Sequence, residues 1–171
     1  MARKKRVVSQ TRMMTVVTFF LGTEECAFPI TDVHQILREA HVTRVPNVNR
    51  YVEGVFNLRG LVIPVMDLKL VLGLGVRSHS QDQRLLIVEI NKRLVGFSVD
   101  SVGGVFEFEE KQLQAAPDVV LSKVVGRFVS GVVQHGQAIT ILLNTSDVVK
   151  VRKTERIASD EAVSTGVRPQ V

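Results

Sequence analysis

The feature that most constrains this chain is its rhythm of short apolar stretches, each cut off by a turn signal. The longest, Met13–Leu21 and Leu85–Ile90, are too short to span a bilayer as helices but have the length of strands. Thr15-Val16-Val17-Thr18-Phe19-Phe20-Leu21 is apolar, β-branched or aromatic almost throughout, as a buried strand is. Gly22-Thr23-Glu24 turns it, and Glu25-Cys26-Ala27-Phe28 returns as its partner. Further on, Leu85–Ile90 and Leu94–Val99 flank a turn at Asn91-Lys92-Arg93. In the second of these, Val95, Phe97 and Val99 alternate with Leu94, Gly96 and Ser98, the period-2 pattern of a half-buried strand. Val105–Phe108 reads as another strand, followed by a helical turn within Glu109–Gln114. After a connecting segment, Pro117–Gly126, Phe128–Val133 and Ala138–Leu143 form a last hairpin around His135-Gly136, and Asn144 caps a short helix through Val149. No internal repeat is visible, although the strand-rich halves suit two small barrels.

Two segments in the first half read as short helices. Thr31 or Asp32 suits an N-cap, and Val33, Ile36, Leu37 and Ala40 fall on one apolar face at i, i+3, i+4, i+7. On that helix Gln35 points away from the apolar face, into solvent or toward a partner. After the extended Thr43-Arg44-Val45-Pro46 come two strands joined around Asn57–Gly60. Asp67 caps a helix with Leu68, Val71 and Leu72 as its stripe and Gly73 as its terminator. Pro64 cannot donate to a ladder, so its strand is expected to be an edge or bulged there.

Charge and composition exclude several classes of function. Five of the 22 basic residues (Arg3, Lys4, Lys5, Arg6, Arg12) lie within residues 1–12, so the other 17 balance the 17 acidic residues. The excess charge therefore sits on a basic arm, expected to be disordered, and residues 13–151, with 13 basic and 14 acidic residues, form a nearly neutral body. A tail, 152–171, loses all periodicity. With one Tyr and no Trp the body has no stacking platform for nucleic acid, and no nucleic-acid partner is expected. No segment is expected to insert in a membrane, and a single cysteine, Cys26, fits a reducing, cytoplasmic location.

Catalytic signals are equally scarce. His34, His41, His79 and His135 stand in different segments, none at metal-ligand spacing, so neither metal nor cofactor is expected. Leu72-Gly73-Leu74-Gly75 follows a helix and lacks the third glycine or Gly-Lys-Ser/Thr ending of a phosphate loop. Ser78-His79-Ser80 and Asp82 are triad residue types without a strained nucleophile turn. The residues read as a binding protein, not an enzyme.

Arg59 is the most informative polar residue. In Asn57-Leu58-Arg59-Gly60 the Asn and Gly supply the backbone freedom of a tight turn, and Arg59 at its tip exposes a planar donor fork. Taken alone, a solvated turn explains an exposed arginine better than a recognition site does, so the motif by itself does not establish one. Its surroundings do. Gly54-Val55-Phe56-Asn57-Leu58-Arg59-Gly60-Leu61-Val62-Ile63-Pro64-Val65-Met66-Asp67-Leu68, ending at Leu72-Gly73-Leu74, resembles the hallmark of the CheW family, the coupling proteins of bacterial chemotaxis. Phe19-Phe20-Leu21-Gly22 and Val33-His34-Gln35-Ile36 upstream, and Val95-Gly96-Phe97-Ser98-Val99-Asp100 with Val102 and Val105 downstream, extend the resemblance. Ala116-Pro117, Gly131 and Ile141-Leu142-Leu143-Asn144 follow in order, so it runs from about Thr15 to Val149.

The resemblance implies a mainly β chain of two small five-stranded SH3-like β-barrels around a shared hydrophobic core, with a few short helices. It implies a non-enzymatic adaptor, cytoplasmic and recruited to membrane receptor arrays. Its partners would be the cytoplasmic tip of methyl-accepting chemotaxis receptors and the CheW-like regulatory domain of the histidine kinase CheA. A CheW-like scaffold in a surface-motility or gene-expression kinase pathway is the alternative. The receptor-binding positions of the family fall on Val33, Gln35, Gly54 and Arg59. Gln35 departs from the pattern, where Glu is common, and the lost charge is expected to alter receptor preference.

Overall fold

The computed structural model describes residues 11–38, 40–76, 80–117 and 126–151. The tail, the arm apart from its last two residues, and the centre of the connecting segment lie outside the described residues. Ten strands carry the fold: β1 (Met13–Leu21), β2 (Glu24–Pro29), β3 (Val33–Leu37), β4 (Val52–Leu58), β5 (Leu61–Asp67), β6 (Arg84–Ile90), β7 (Arg93–Val99), β8 (Ser101–Glu109), β9 (Val129–His135) and β10 (Ala138–Leu143). Two short helices, α1 (Leu68–Val71) and α2 (Thr145–Lys150), follow β5 and β10. The strands form two five-stranded sheets, β8-β1-β2-β10-β9 and β3-β6-β7-β5-β4, here called the first and second lobes. The mainly β class with two five-stranded units is the one expected from the resemblance.

Each lobe has a small interior, and a third cluster joins them. Val16, Ala27, Phe108, Val133 and Leu142 fill the first lobe. Ile63, Val65, Leu85 and Ile87 fill the second. The largest cluster takes Phe19 and Phe28 from one sheet and Met66, Leu86 and Phe97 from the other. Phe28 lies at its centre, 5.0 Å from the Phe19 ring centroid and 5.9 Å from that of Phe97. Burial of each such side chain stabilises by about 1.5–3 kcal/mol, so this shared core binds the lobes to each other.

An ion pair reinforces the junction. Asp100 stands where the chain leaves β7 for β8 and so passes between sheets. Its Oδ2 accepts from the Gly22 N–H at 2.6 Å and lies 3.2 Å from Lys69 Nζ. Gly22 belongs to the β1–β2 turn of the first lobe and Lys69 to α1 of the second. Asp100 is therefore a clamp across the lobes.

The two lobes share one plan. The β4–β5 ladder pairs Val52 with Met66 and Gly54 with Val65, and the β9–β10 ladder pairs Val129 with Leu143 and Gly131 with Leu142. Each residue of the first hairpin thus matches the one 77 positions later, including the irregularity that skips Glu53 or Ser130. The match continues through the caps. Asp67 Oδ1 accepts from Leu70 N at 3.1 Å, and Asn144 Oδ1 accepts from Asp147 N at 3.1 Å. A single bridge then ties the chain beyond one terminal strand to the other terminal strand, Thr43 to Val55 and Gln114 to Val132.

Three expectations need correction. Residues 33–37 are a strand, preceded by one 3-10 turn at Ile30–Asp32, not a helix through Ala40. Pairing with the otherwise open edge of β6 outweighs the helical spacing, and a bulge after Val33 explains how that spacing arose. It sends Val33 into the shared core while Leu37 packs in the second-lobe interior, so apolar residues recur without strict alternation. Strand β7 is buried on both faces from Val95 to Val99, since Gly96 and Ser98 face the second-lobe interior. Strand β5 is internal to its sheet, yet its pairing with β7 begins only at Val65, so Pro64 interrupts no ladder on that side.

Candidate partner-binding face

Arg59 sits in the tightest hairpin loop the fold can make. Leu58 and Leu61 are the last pair of the β4–β5 ladder, leaving Arg59-Gly60 as a two-residue turn with φ of 51° and 90°. Positive φ at both central residues defines the type I′ turn, whose twist matches that of the strands. Asn57 Oδ1 accepts from Gly60 N at 2.7 Å and pins the loop. The left-handed region costs a residue with a Cβ on the order of 1 kcal/mol, and Asn or Gly is the usual occupant. Arg59 holds it with an exposed guanidinium and no hydrogen-bond or ion-pair partner among the described residues. Beside it Leu61 and Val62 are 55% and 65% exposed, an apolar shoulder that strand pattern alone does not reveal.

Gly54 lies buried on β4, and its reason is close approach. At φ +152° a Cβ there would stand 2.0 Å from the Thr43 carbonyl oxygen. The Thr43–Val55 bridge, with N···O distances of 2.8 and 2.9 Å, brings that carbonyl in. Gly54 also lines a cleft of about 410 Å³ with Val45, Val48, Tyr51 and Met66 among its walls. Val45 and Val48 are partly exposed at its rim, another apolar surface that the sequence marks only by the neighbouring Pro46-Asn47.

Val33 and Gln35 stand on β3. Val33 is half-buried against the shared core. Gln35, expected to point from a helix into solvent or toward a partner, is half-buried on a strand and pairs in register with Ile87. Its neighbour His34 lies 3.4 Å from Glu89. All four candidate residues therefore belong to the second lobe, in two pairs on its two terminal strands or the turn that follows. Among the described residues no ladder joins β3 to β4, and the Thr43–Val55 bridge ties the segment after β3 to β4.

Among the described residues no three His, Cys, Asp or Glu side chains cluster to hold a metal ion. Burial, with Glu24 and Glu25 nearby, pushes the Cys26 thiol up to about 12, far from a nucleophilic thiolate. No helix among the described residues is long and apolar enough to cross a membrane.

Comparison with known proteins agrees with this architecture. The CheW-like domain model matches residues 15–153. The chemotaxis protein CheW of Helicobacter pylori is 28% identical over 81% of this chain and 82% of its own. That of Thermotoga maritima is 29% identical over 85% of this chain and 94% of its own. The crystal structure of the scaffolding protein TtCheW from Thermoanaerobacter tengcongensis superposes with a TM-score of 0.76 at 31% identity, covering 85% of this chain and 99% of that one. With a matching model over nearly the whole described body and a shared two-sheet fold, the chain belongs to the CheW-like domain family.

Proposed function

We propose that this chain is a non-enzymatic adaptor of chemotaxis signalling that couples methyl-accepting receptors to the histidine kinase CheA. The receptor's cytoplasmic tip docks on the face carrying Val33, Gln35, Gly54 and Arg59, and the kinase contributes its CheW-like regulatory domain. The adaptor works in the cytoplasm and reaches the membrane only through the receptors it binds. The observation that carries the reading is Arg59, an unpaired cation held on strained backbone beside exposed apolar residues, within a chain of the CheW-like family. Strain kept at an exposed residue is characteristic of binding sites.

Arg59→Ala tests the reading by calorimetric titration against a receptor-tip fragment. Binding weakens by about 1–3 kcal/mol, as for an interface anchor. Thermal stability stays within about 0.5 kcal/mol of the parent, as for exposed positions. Normal binding with a large loss of stability would make Arg59 a structural residue.

A further inference from the structure

Ladder register relates the remaining strands of the two lobes as well. Phe19–Cys26 and Val88–Val95 each lie two pairs before the last pair of their hairpin, so β1 and β2 match β6 and β7. On their other side Val16 pairs with Phe106, and its match Leu85 pairs with Leu37, so β8 matches β3. One step further along, Thr15 pairs with Glu107 in the first lobe, and its Oγ1 donates to Oε1 at 3.0 Å. In the second lobe that step, just past the last pair of the β3–β6 ladder, holds Arg84 and Arg38.

A hydrogen-bonded pair in one lobe is thus a pair of cations in the other. Like charges at facing strand positions repel and destabilise. Among the described residues neither guanidinium has an ion-pair partner to offset this. Arg84 is half-buried and anchored, its Nη1 donating to the carbonyl oxygens of Gln83 at 2.7 Å and Gln81 at 3.2 Å. Both arginines line a cavity of about 660 Å³, within the size range of small-molecule sites. Ser98, also in its wall, is buried, and its Oγ donates to Glu53 Oε1 at 2.6 Å. The first-lobe match of Ser98 is Pro29, which has no hydroxyl.

We propose that this cavity binds a small phosphate monoester, its phosphate bridging Arg38 and Arg84 and its hydroxyls facing Ser98 and Glu53. Such a phosphate carries about 1.5–2 negative charges at neutral pH and so relieves the repulsion between the two cations. Guanidinium forks match phosphate oxygens in bidentate geometry. The Glu53 carboxylate accepts from hydroxyls and repels further anionic groups, so the ligand carries its charge at one end. A sugar phosphate and a nucleoside monophosphate both meet this description. None of Val33, Gln35, Gly54 and Arg59 lines the cavity, so the proposal goes beyond receptor coupling and does not depend on it.

Calorimetric titration of the full chain, with thermal melts at one ionic strength throughout, tests the site. Ribose phosphate and adenosine monophosphate are the probes and separate the two classes of ester, with inorganic phosphate, ribose and adenosine as controls. At about ten times its dissociation constant the tighter ester raises the melting midpoint by about 3–5 °C. Inorganic phosphate binds more weakly, and ribose and adenosine do not bind. Arg38→Glu installs the first-lobe residue. It weakens ester binding at least tenfold, and the unliganded variant melts no lower than the parent because the repulsion is gone. Arg84→Gln weakens ester binding to a similar extent.

Ester binding that survives Arg38→Glu belongs to the basic arm and overturns the proposal. So does the failure of both esters to bind, or inorganic phosphate binding as tightly as they do. A lower unliganded midpoint in Arg38→Glu contradicts the repulsion from which the site is argued. If Arg84→Gln fails to fold, Arg38→Glu decides, because Arg38 is exposed.

Discussion

The two lobes have the same ladders, bulges, caps and closing bridges, but they differ in what they add to them. Leu58 and Leu37 pack in the second-lobe interior; at the corresponding place in the first lobe, His135 stacks on Phe106 with ring centroids 4.1 Å apart. The fully buried Leu68 that opens α1 corresponds to Thr145, buried with its hydroxyl unpaired. The clamp at Asp100 also has a one-sided character. Counting from the hairpins, its counterpart is the exposed Thr31, which bonds only to Asp32. Geometry is therefore set by a few glycines, turns and caps, while the side chains mounted on it are free to diverge and to specialise.

The largest test of this asymmetry is Asp100→Ala. It strands the Gly22 N–H and the Lys69 ammonium, whose side chain is only 12% exposed. Urea denaturation is expected to show a loss of about 2–4 kcal/mol, against less than about 0.5 for Thr31→Ala. Equal losses would mean the lobes are joined symmetrically. The caps give the next effect in size. Asp67→Ala and Asn144→Ala each cost about 1 kcal/mol, and a large disparity between them would break the equivalence of the two hairpin–helix units.

Two smaller effects sharpen the comparison. Thr145→Val removes a buried hydroxyl without a partner and stabilises by up to about 1 kcal/mol, bringing α2 closer to α1. Cys26 and Val95 stand at matching places in β2 and β7, each 1% exposed. Cys26→Val accordingly changes stability by less than about 1.5 kcal/mol. In the parent protein, thiol labelling waits for unfolding. The folded thiol titrates near 12, above its unfolded value, so its contribution to stability is intact at neutral pH and is lost only as pH rises from about 9 through 12.

Much of the fold is legible in the sequence where local chemistry and tertiary structure agree. The turns at Gly22, Asn57–Gly60, Asn91-Lys92 and Gly136, and the caps Asp67 and Asn144, stand where residue type places them, Arg59 itself being the exception within its turn. Strand β3 was hidden because its bulge imitates helical spacing. The duplication was hidden because a shared backbone needs few shared side chains. Tyr51-Val52-Glu53-Gly54-Val55 and Phe128-Val129-Ser130-Gly131-Val132 show it only once the registers are known. For the candidate face, Arg59 and Gly54 are marked only by the family resemblance of the segment around them. What could not be read is that Gly54 answers to the Thr43 carbonyl, because that contact forms only when the lobe closes.

The proposed coupling requires that the chain hold receptor and kinase at once and that Arg59 be essential on the receptor side only. Size-exclusion chromatography of the chain mixed with a receptor-tip fragment and a CheA regulatory domain tests it most directly. A ternary complex is expected, from which Arg59→Ala removes the receptor fragment and leaves the kinase domain bound. Mutually exclusive binding of the two partners, or a ternary complex indifferent to Arg59→Ala, would contradict it.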